Sequence, residues 1–362
     1  MRISQLLFLM FSVFIAHTTT INATAVKNIR NNKKCTSKKK SSRPLHKKAA
    51  TKRLRKKVDL SGPSKALMEK ARPLVLSHLD GGVMTAKDAM RIQRKLKIST
   101  RRSFMAVLAE VASDFAQSPV YNYPVGAVGR IEKTGEFVLG FNLEFEGHQP
   151  GQTVHAERAV VALAHQRGLG AIGSLYSNSK MCAGCIQFLF ETKNGSNMKI
   201  HVEGRPTVRL SDLLTDPHTW GVNALLAQPP TPQKLVRDNI VFRNKDLVMN
   251  AVDEASRSYV LLEGAQSAVA IKTVYGRLYK AANLEISGTN DSLPPLQSAL
   301  VAIAADGIPF HEIQEVVLVE SATLKHNHAS AIRDILQTIA PKASFEFHKI
   351  EPIELLAHEQ DS

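Results

Sequence analysis

The chain has 362 residues, 44% of them hydrophobic, which is typical of a globular protein with two or three domains. It contains three cysteines, which excludes a disulfide-stabilised scaffold. The net charge of +15 is confined to one segment, because 15 Lys and Arg and no acidic residue lie between Lys27 and Lys57, and the rest of the chain carries 32 residues of each sign.

The N-terminus has the layout of a signal peptide. Arg2 precedes an apolar run over residues 6–16, and Ala23-Thr24-Ala25 supplies an A-x-A cleavage site, which predicts removal of residues 1–25. The apolar run is too short to cross a bilayer, so no transmembrane helix is expected. We therefore expect a secreted or periplasmic protein. An organelle transit peptide or a cytosolic location is the alternative, because no acidic residue precedes Asp59.

Residues 26–60 form a basic, low-complexity tail. Such a segment cannot bury apolar surface, so it is expected to be disordered. Its charges could contact the phosphates of nucleic acid or an anionic membrane. It contains no aromatic residue, so it offers no base stacking, and the neutral remainder of the chain shows no basic groove. A solvated tail or a targeting segment is the other interpretation.

Residues 61–98 predict a small helical lead-in domain. A first helix is capped within residues 61–64, a Ser-Gly-Pro-Ser stretch, and Thr85 caps a second, shorter helix. The apolar residues of the first helix are Ala66, Leu67, Ala71, Leu74 and Val75.

Residues 99–227 predict a first core with the order α-β-β-α-β-α-β. Ser99 or Thr100 caps its first helix, and Pro119 ends it. The strands are expected at residues 125–129, 136–141, 171–176 and 198–202, and the two further helices at 155–168 and from Cys182 onward. A Thr-Gly turn at 134–135 joins the first two strands into a hairpin.

Residues 228–243 are a linker by composition, since they begin Gln-Pro-Pro-Thr-Pro-Gln. The same element order then recurs over residues 244–362. Helices are expected near 245–257, from Pro295 onward and near 327–339, and strands near 266–272, 276–281, 316–320 and 345–348. The recurrence predicts a duplicated unit.

A possible metal-binding motif lies in the middle of the first core. His155 and Glu157 open one predicted helix, and Cys182 and Cys185 open the next. One imidazole and two thiolates are three protein ligands of a catalytic zinc site, and helix N-termini favour thiolates. A disulfide between the cysteines and a core role for the histidine are the alternatives.

The second core lacks this ligand set. No cysteine follows Cys185, and Pro295-Leu296-Gln297 is aligned with His155-Ala156-Glu157 of the first core. The sequence therefore predicts one Zn²⁺ per chain, with a second core that is structural or completes a partner's site.

From about Leu67 to the C-terminus, the sequence resembles the cytidine deaminases. The match is to the homodimeric bacterial and plant type, which has one catalytic and one degenerate core. The stretches that carry it are residues 118–127 (SPVYNYPVGA), 140–145 (GFNLEF), 153–157 (TVHAE), 182–188 (CAGCIQF) and 293–297 (LPPLQ). The H-x-E and C-x-x-C pair is also the general signature of zinc deaminases.

The resemblance implies an α/β fold with two cytidine-deaminase-like three-layer α-β-α cores and a small helical N-terminal domain. It implies a homodimer that converts cytidine or deoxycytidine to uridine or deoxyuridine and ammonia in pyrimidine salvage. The zinc ligands would be His155, Cys182 and Cys185, and Glu157 would carry protons between water and the pyrimidine.

The resemblance also implies a set of substrate contacts. Asn142 and Glu144 would bind the ribose hydroxyls, and Ala156 would contact the substrate. Tyr123 would stack near the base, and Trp220 would close over it. Plain core packing is the alternative for these two aromatic residues.

Two departures from the family pattern leave other functions open. Met181 replaces the proline that precedes the first zinc cysteine, and Thr289 replaces an aromatic residue that reaches a partner's active site. A zinc-binding pseudoenzyme is therefore one alternative. A deaminase of RNA or DNA, suggested by the basic tail, is the other.

Overall fold

The computed structural model describes residues 60–214, 216–221, 223–236, 242–288, 291–325 and 327–353. The predicted signal peptide and almost all of the basic tail, together with Thr289, lie outside these ranges. The helices are α1 (Lys65–Leu76), α2 (Ala86–Lys95), α3 (Arg101–Ser113), α4 (Ala156–Gln166), α5 (Ala183–Phe190), α6 (Lys245–Ala255), α7 (Pro295–Ala305) and α8 (Ala329–Ile339). The strands are β1 (Val83–Met84), β2 (Gly126–Ile131), β3 (Phe137–Phe141), β4 (Ile172–Ser177), β5 (Lys199–Val202), β6 (Val208–Arg209), β7 (Gln233–Leu235), β8 (Tyr259–Val260), β9 (Ser267–Thr273), β10 (Leu278–Ala282), β11 (Leu284–Glu285), β12 (Ile313–Ser321) and β13 (Ser344–Pro352).

The first core is a six-stranded sheet in the order β1-β3-β2-β4-β5-β6. β2 and β3 form the predicted antiparallel hairpin, and α5 connects the parallel strands β4 and β5. The long elements of this core are confirmed with boundary shifts of one or two residues. The two-residue strands β1 and β6 were not predicted, because so short a segment shows no periodicity.

Helices cover both faces of this sheet. Along β2, Ala127 and Ile131 pack in the cluster that contains α4, while Val128 between them packs in the cluster that contains α3. Successive strand residues point to opposite faces, so α3 and α4 lie on opposite sides of the sheet. This is the predicted three-layer α-β-α arrangement.

The second core repeats the first. Its main sheet has the order β10-β9-β12-β13-β7, with an antiparallel hairpin (β9 and β10) followed by a parallel pair (β12 and β13). α6 packs on one face, and α7 and α8 pack on the other. The duplication is confirmed. The predicted linker contains one strand, because Gln233–Leu235 pairs with the last residues of β13 as an edge strand.

The lead-in helices have the caps that the sequence indicated. Ser64, Thr85 and Thr100 each accept a hydrogen bond from a backbone N–H three residues later. α1 and α2 pack against α3 in one cluster that also includes Val128 of the first sheet, and β1 pairs with β3. The lead-in segment therefore shares its core with the first sheet. Within the described ranges, no helix is long and apolar enough to span a membrane.

The two cores meet through α4 and α7, whose buried residues belong to one hydrophobic cluster. The Gln166 side chain donates to the Ser298 carbonyl at 2.8 Å. The ring of His165 donates to the Arg257 carbonyl at 3.0 Å, and the Arg257 guanidinium donates to the carbonyl of His165. Burial lowers the pKa of His165 to about 4, so the ring is neutral in this contact at pH 7. These bonds fix the C-terminal end of α4, whose other end reaches the metal motif.

Candidate active site and metal centre

The three predicted metal ligands converge at two helix N-termini. His155 is the N-cap of α4, Cys182 is the N-cap of α5, and Cys185 lies in the first turn of α5. The Nδ1 atom of His155 is 3.5 Å from Sγ of Cys182 and 3.3 Å from Sγ of Cys185. Donor atoms around a tetrahedral zinc ion lie roughly 3.6 Å apart, so this set fits zinc closely. The site is open on one side, since Cys182 is exposed and Cys185 is buried.

The two cysteines are free thiols, which rules out the disulfide alternative for this structure. Hydrogen bonding with Cys185, together with the Cys185 backbone N–H, lowers the pKa of Cys182 to about 3. The same pairing, together with burial, raises the pKa of Cys185 above its usual value. Zinc would hold both sulfurs as thiolates, so metal binding would release any proton that the pair still carries.

Glu157 lies in the first turn of α4 beside these ligands but is not one of them. Its side chain is only 3% exposed, and the Ser177 hydroxyl donates to Oε1 at 3.0 Å. Burial raises the pKa of this carboxyl, with hydrogen bonds opposing the rise. A buried carboxyl that gains and loses a proton readily suits general acid–base chemistry. Sequence reasoning missed Ser177, whose signal is a polar residue at the end of an apolar strand.

Asn142 and Glu144 form a second polar cluster beyond the end of β3. Oε2 of Glu144 accepts hydrogen bonds from the N–H groups of Val120 and Tyr121 at 2.9 and 3.0 Å. Asn142 accepts from the Val125 N–H at 2.7 Å, and its own amide lies 3.4 Å from Oε1 of Glu144. The backbone contacts hold both side chains in place, which pre-forms a site for hydroxyl groups.

These groups line one cavity of about 360 Å³. Its walls include the residues Asn142, Glu144, His155, Ala156, Glu157 and Cys182, as well as Tyr121, Tyr123, Ser179 and Lys180. A cavity of this size holds a small organic ligand. The structure therefore places two of the three predicted zinc ligands, the acid–base candidate and the predicted sugar contacts around one volume, with the buried Cys185 beside it.

Core packing is the wrong interpretation for both aromatic residues. Tyr123 lines the cavity and is 59% exposed. Trp220 is 75% exposed and is not among the described residues that line the cavity, and its closure over a base stays a prediction. Trp220 lies in an irregular segment, whose position local sequence patterns do not determine.

The helix that carries the cysteines does not depend on the missing proline. Met181 packs against the main hydrophobic cluster, and Cys182 then adopts an extended backbone with φ −77° and caps α5. Gly184 lets the second core approach, because a Cβ there would lie 2.2 Å from the carboxylate of Asp291. Asp291 in turn binds Arg158, through its carbonyl at 3.1 Å and its carboxylate at 3.6 Å. The second core thus braces both helices of the metal site.

The second core has no equivalent ligand set in the described part of the chain, where one such group is found. α7 begins at Pro295 with Pro294 as its N-cap. Leu293 forms an isolated antiparallel β-bridge with Leu284, as Val154 does with Leu143 in the first core. The equivalent of His155 is therefore Pro294, one residue earlier than the sequence alignment placed it. Proline offers no donor atom, so the degenerate character of this core is confirmed.

Comparisons with known proteins agree with this geometry. Residues 98–199 and residues 209–333 each match a family model described as the cytidine and deoxycytidylate deaminase zinc-binding region. Cytidine deaminase of Vibrio vulnificus (strain YJ016) is 32% identical over 247 residues, which covers 67% of this chain and 81% of the relative. Cytidine deaminase of Shewanella amazonensis is 29% identical over 278 residues, 76% of this chain and 92% of the relative. Among solved structures, that of cytidine deaminase from Mycobacterium tuberculosis has a sequence 32% identical to this chain. The match covers 31% of this chain and 91% of the Mycobacterium tuberculosis chain, with a TM-score of 0.28.

Proposed function

This chain belongs to the cytidine deaminase family, and we propose that it removes the 4-amino group of free cytidine or deoxycytidine in pyrimidine salvage. It is a zinc-dependent hydrolase. The observation that supports this activity best is the cavity lined by His155, Cys182 and Glu157, with Cys185 completing the ligand group. The products are uridine or deoxyuridine and ammonia.

The chain's own residues supply the proton transfers. Zinc, when bound, provides Lewis acidity that lowers the pKa of water toward neutrality. Glu157 accepts the proton that water loses and delivers it to N3 of the pyrimidine as C4 is attacked. It then accepts a second proton, from the new hydroxyl on C4, and gives it to the amine, so that the C4 carbonyl forms as the C4–N bond breaks and ammonia leaves. One carboxyl thus acts as base and as acid in turn. Ser177 holds Oε1 of Glu157, which leaves Oε2 for the substrate.

The sugar side of the cavity favours a free nucleoside. Two backbone N–H groups fix the Glu144 carboxylate beside Asn142, where a carboxylate and an amide suit a 3′-hydroxyl. An internal nucleotide of a nucleic acid carries a 3′-phosphate instead. At about 4 Å and an effective dielectric near 20, the carboxylate would repel each phosphate charge by roughly 4 kcal/mol.

The test compares cytidine with a cytidine-containing oligonucleotide. Full-length protein and a shortened chain that starts at Asp59 should both convert cytidine at similar rates, followed by ultraviolet absorbance, and neither should convert the oligonucleotide. Deoxycytidine 5′-monophosphate is assayed as a third compound. Lys180, the one Lys or Arg among the described residues that line the cavity, is the residue that could contact its phosphate. Efficient oligonucleotide deamination that disappears with the tail would overturn the nucleoside assignment and support a nucleic-acid deaminase.

We propose export for the same chain, with cleavage after Ala25 and a mature protein that begins at Val26. The support is the Arg2, apolar run and A-x-A layout of the sequence. The basic tail would then be an address or tether, with nucleic acid or an anionic membrane as its partner if it has one. N-terminal sequencing of the native protein checks this, and an intact Met1 would refute it.

We propose that the protein is a homodimer, as its resemblance to the two-core deaminases implies. The degenerate second core supports this, because it retains the fold without the metal ligands. Light scattering of purified protein should give twice the mass of the chain. A single-chain mass at micromolar concentration would contradict the dimer.

A further inference from the structure

The second core keeps a polar pair that the metal-binding motif does not require. Residues 141–145 read Phe-Asn-Leu-Glu-Phe, and residues 282–286 read Ala-Asn-Leu-Glu-Ile. In the first core, Oε2 of Glu144 accepts from two consecutive backbone N–H groups. In the second, Oε2 of Glu285 accepts from the N–H groups of Leu262 and Glu263 at 2.9 and 3.3 Å. The pair and its backbone support are therefore duplicated together.

A cavity of about 430 Å³ lies beside this second pair. It is lined by Asn283 and Glu285, by Gln297 at the start of α7, and by Ala331 on α8. Gln152 of the first core contributes another wall, so the cavity is enclosed by both cores of one chain. It is slightly larger than the 360 Å³ cavity of the metal site. The second core has thus lost its metal ligands without filling its cleft.

Two polar atoms at this cleft have no hydrogen-bond partner among the described residues. Gln297 is only 2% exposed, and its Oε1 accepts no hydrogen bond from any of them. Oε1 of Gln152, on the opposite wall, is also buried and unpartnered. A buried acceptor without a donor costs roughly 1–3 kcal/mol. Both residues line the cavity, which places the two oxygens close to any ligand that carries N–H or O–H groups there.

The charges of the cleft define the ligand further. None of the described residues that line it is a Lys or Arg, and Glu263 and Glu285 are acidic. A phosphate or carboxylate would therefore meet two acidic side chains and no Lys or Arg to offset their repulsion. A neutral molecule with hydroxyl and amino donors fits, and the anchored Asn-x-Glu pair is the one that the first core presents to a sugar in the proposed function.

We propose that this cleft, named here the second cleft, binds a pyrimidine nucleoside without converting it. The assignment of the sugar end to Asn283 and Glu285 rests on the proposed function of Asn142 and Glu144. The existence of the second cleft, with its two unpartnered oxygens, is independent of that proposed function. No group of metal ligands is found at the second cleft among the described residues, so a nucleoside bound there keeps its amino group.

The experiment counts cytidine bound per chain. Radiolabelled cytidine is dialysed against full-length, zinc-loaded Glu157→Gln protein, whose turnover is reduced, and chromatography of the recovered label measures how much remains cytidine, so that only bound cytidine is counted. We expect two cytidines per chain. Ala331→Trp should fill the second cleft from α8 and reduce the count to one, while Ser330→Trp on the exposed side of the same helix should leave two.

A second variant separates ligand binding from folding. Gln297→Met replaces an unpartnered amide with an apolar side chain of similar length, so stability should be unchanged or improved. Its affinity for the second cytidine should fall roughly tenfold or more, because the ligand loses a hydrogen bond. A structural role for Gln297 would instead lower the melting temperature and leave cytidine affinity unaltered.

The outcomes are distinct for the two sites. One cytidine per chain that Ala331→Trp does not affect would overturn the second cleft as a nucleoside site. One cytidine per chain that Ala331→Trp abolishes would support the second cleft and contradict the proposed role of the first cavity.

Discussion

Replacing Glu157 with Gln should reduce kcat for cytidine by roughly 10²- to 10⁴-fold while the protein keeps its zinc and its fold. The amide has the same shape as the carboxyl, so its carbonyl oxygen can still accept the 3.0 Å hydrogen bond from Ser177. It cannot accept the proton that water loses. Turnover is measured by the ultraviolet change from cytidine to uridine, and zinc by elemental analysis of the same samples.

The matched control for this variant is Glu146→Gln. Glu146 is exposed and lies outside the lining of the cavity, so this variant carries the same chemical change away from the site. The turnover of Glu146→Gln protein should therefore equal that of the unmodified protein. Near-normal turnover in Glu157→Gln would rule out a proton-transfer role for this residue. It would leave the pseudoenzyme and binding alternatives to explain the metal site.

The second large effect is expected for Cys182→Ser. We expect the unmodified protein to bind one zinc ion per chain and this variant to lose it. The ligands His155, Cys182 and Cys185 come from two helices, so the bound metal joins α4 to α5. A hydroxyl is a far weaker zinc ligand than a thiolate, and metal binding is coupled to folding. Zinc content should therefore fall from about one toward zero per chain, and the melting temperature should fall with it.

Elemental analysis and thermal unfolding of the same preparation check this expectation. Cys35→Ser is the control, because it removes a cysteine of the basic tail and should leave metal content at the original level. Two zinc ions per chain would contradict the absence of a donor at Pro294. No zinc in protein purified without a chelator would contradict the ligand set itself.

Local signals in the sequence were sufficient for most helices and strands. Ser64, Thr85 and Thr100 are caps because their side chains satisfy an N–H of the first turn, a requirement that lies within three residues of each cap. The zinc ligands were also predictable. A metal site needs particular donor types, and the predicted helix starts placed His155 and the cysteines at the right ends.

Contacts between distant residues were not predictable in this way. Ser177 reaches Glu157 across 20 positions, and Arg158 reaches Asp291 across 133. No short-range pattern marks such pairs, since each partner alone looks like an ordinary polar or charged residue. The role of Trp220 stays a prediction for a related reason, because an irregular segment has no periodicity to fix the direction of a side chain.

The sequence alone determined the element order, the duplication and the His-Cys-Cys group of candidate metal ligands, because these depend on local periodicity and donor chemistry. Tertiary structure decided which strands became neighbours, such as Gln233–Leu235 beside the end of β13. It also decided that Pro294 rather than Pro295 replaces His155, since the start of α7 is set by packing and strand pairing. The second cleft exists for the same reason: its walls come from segments far apart in the chain, and only the folded arrangement encloses a volume between them.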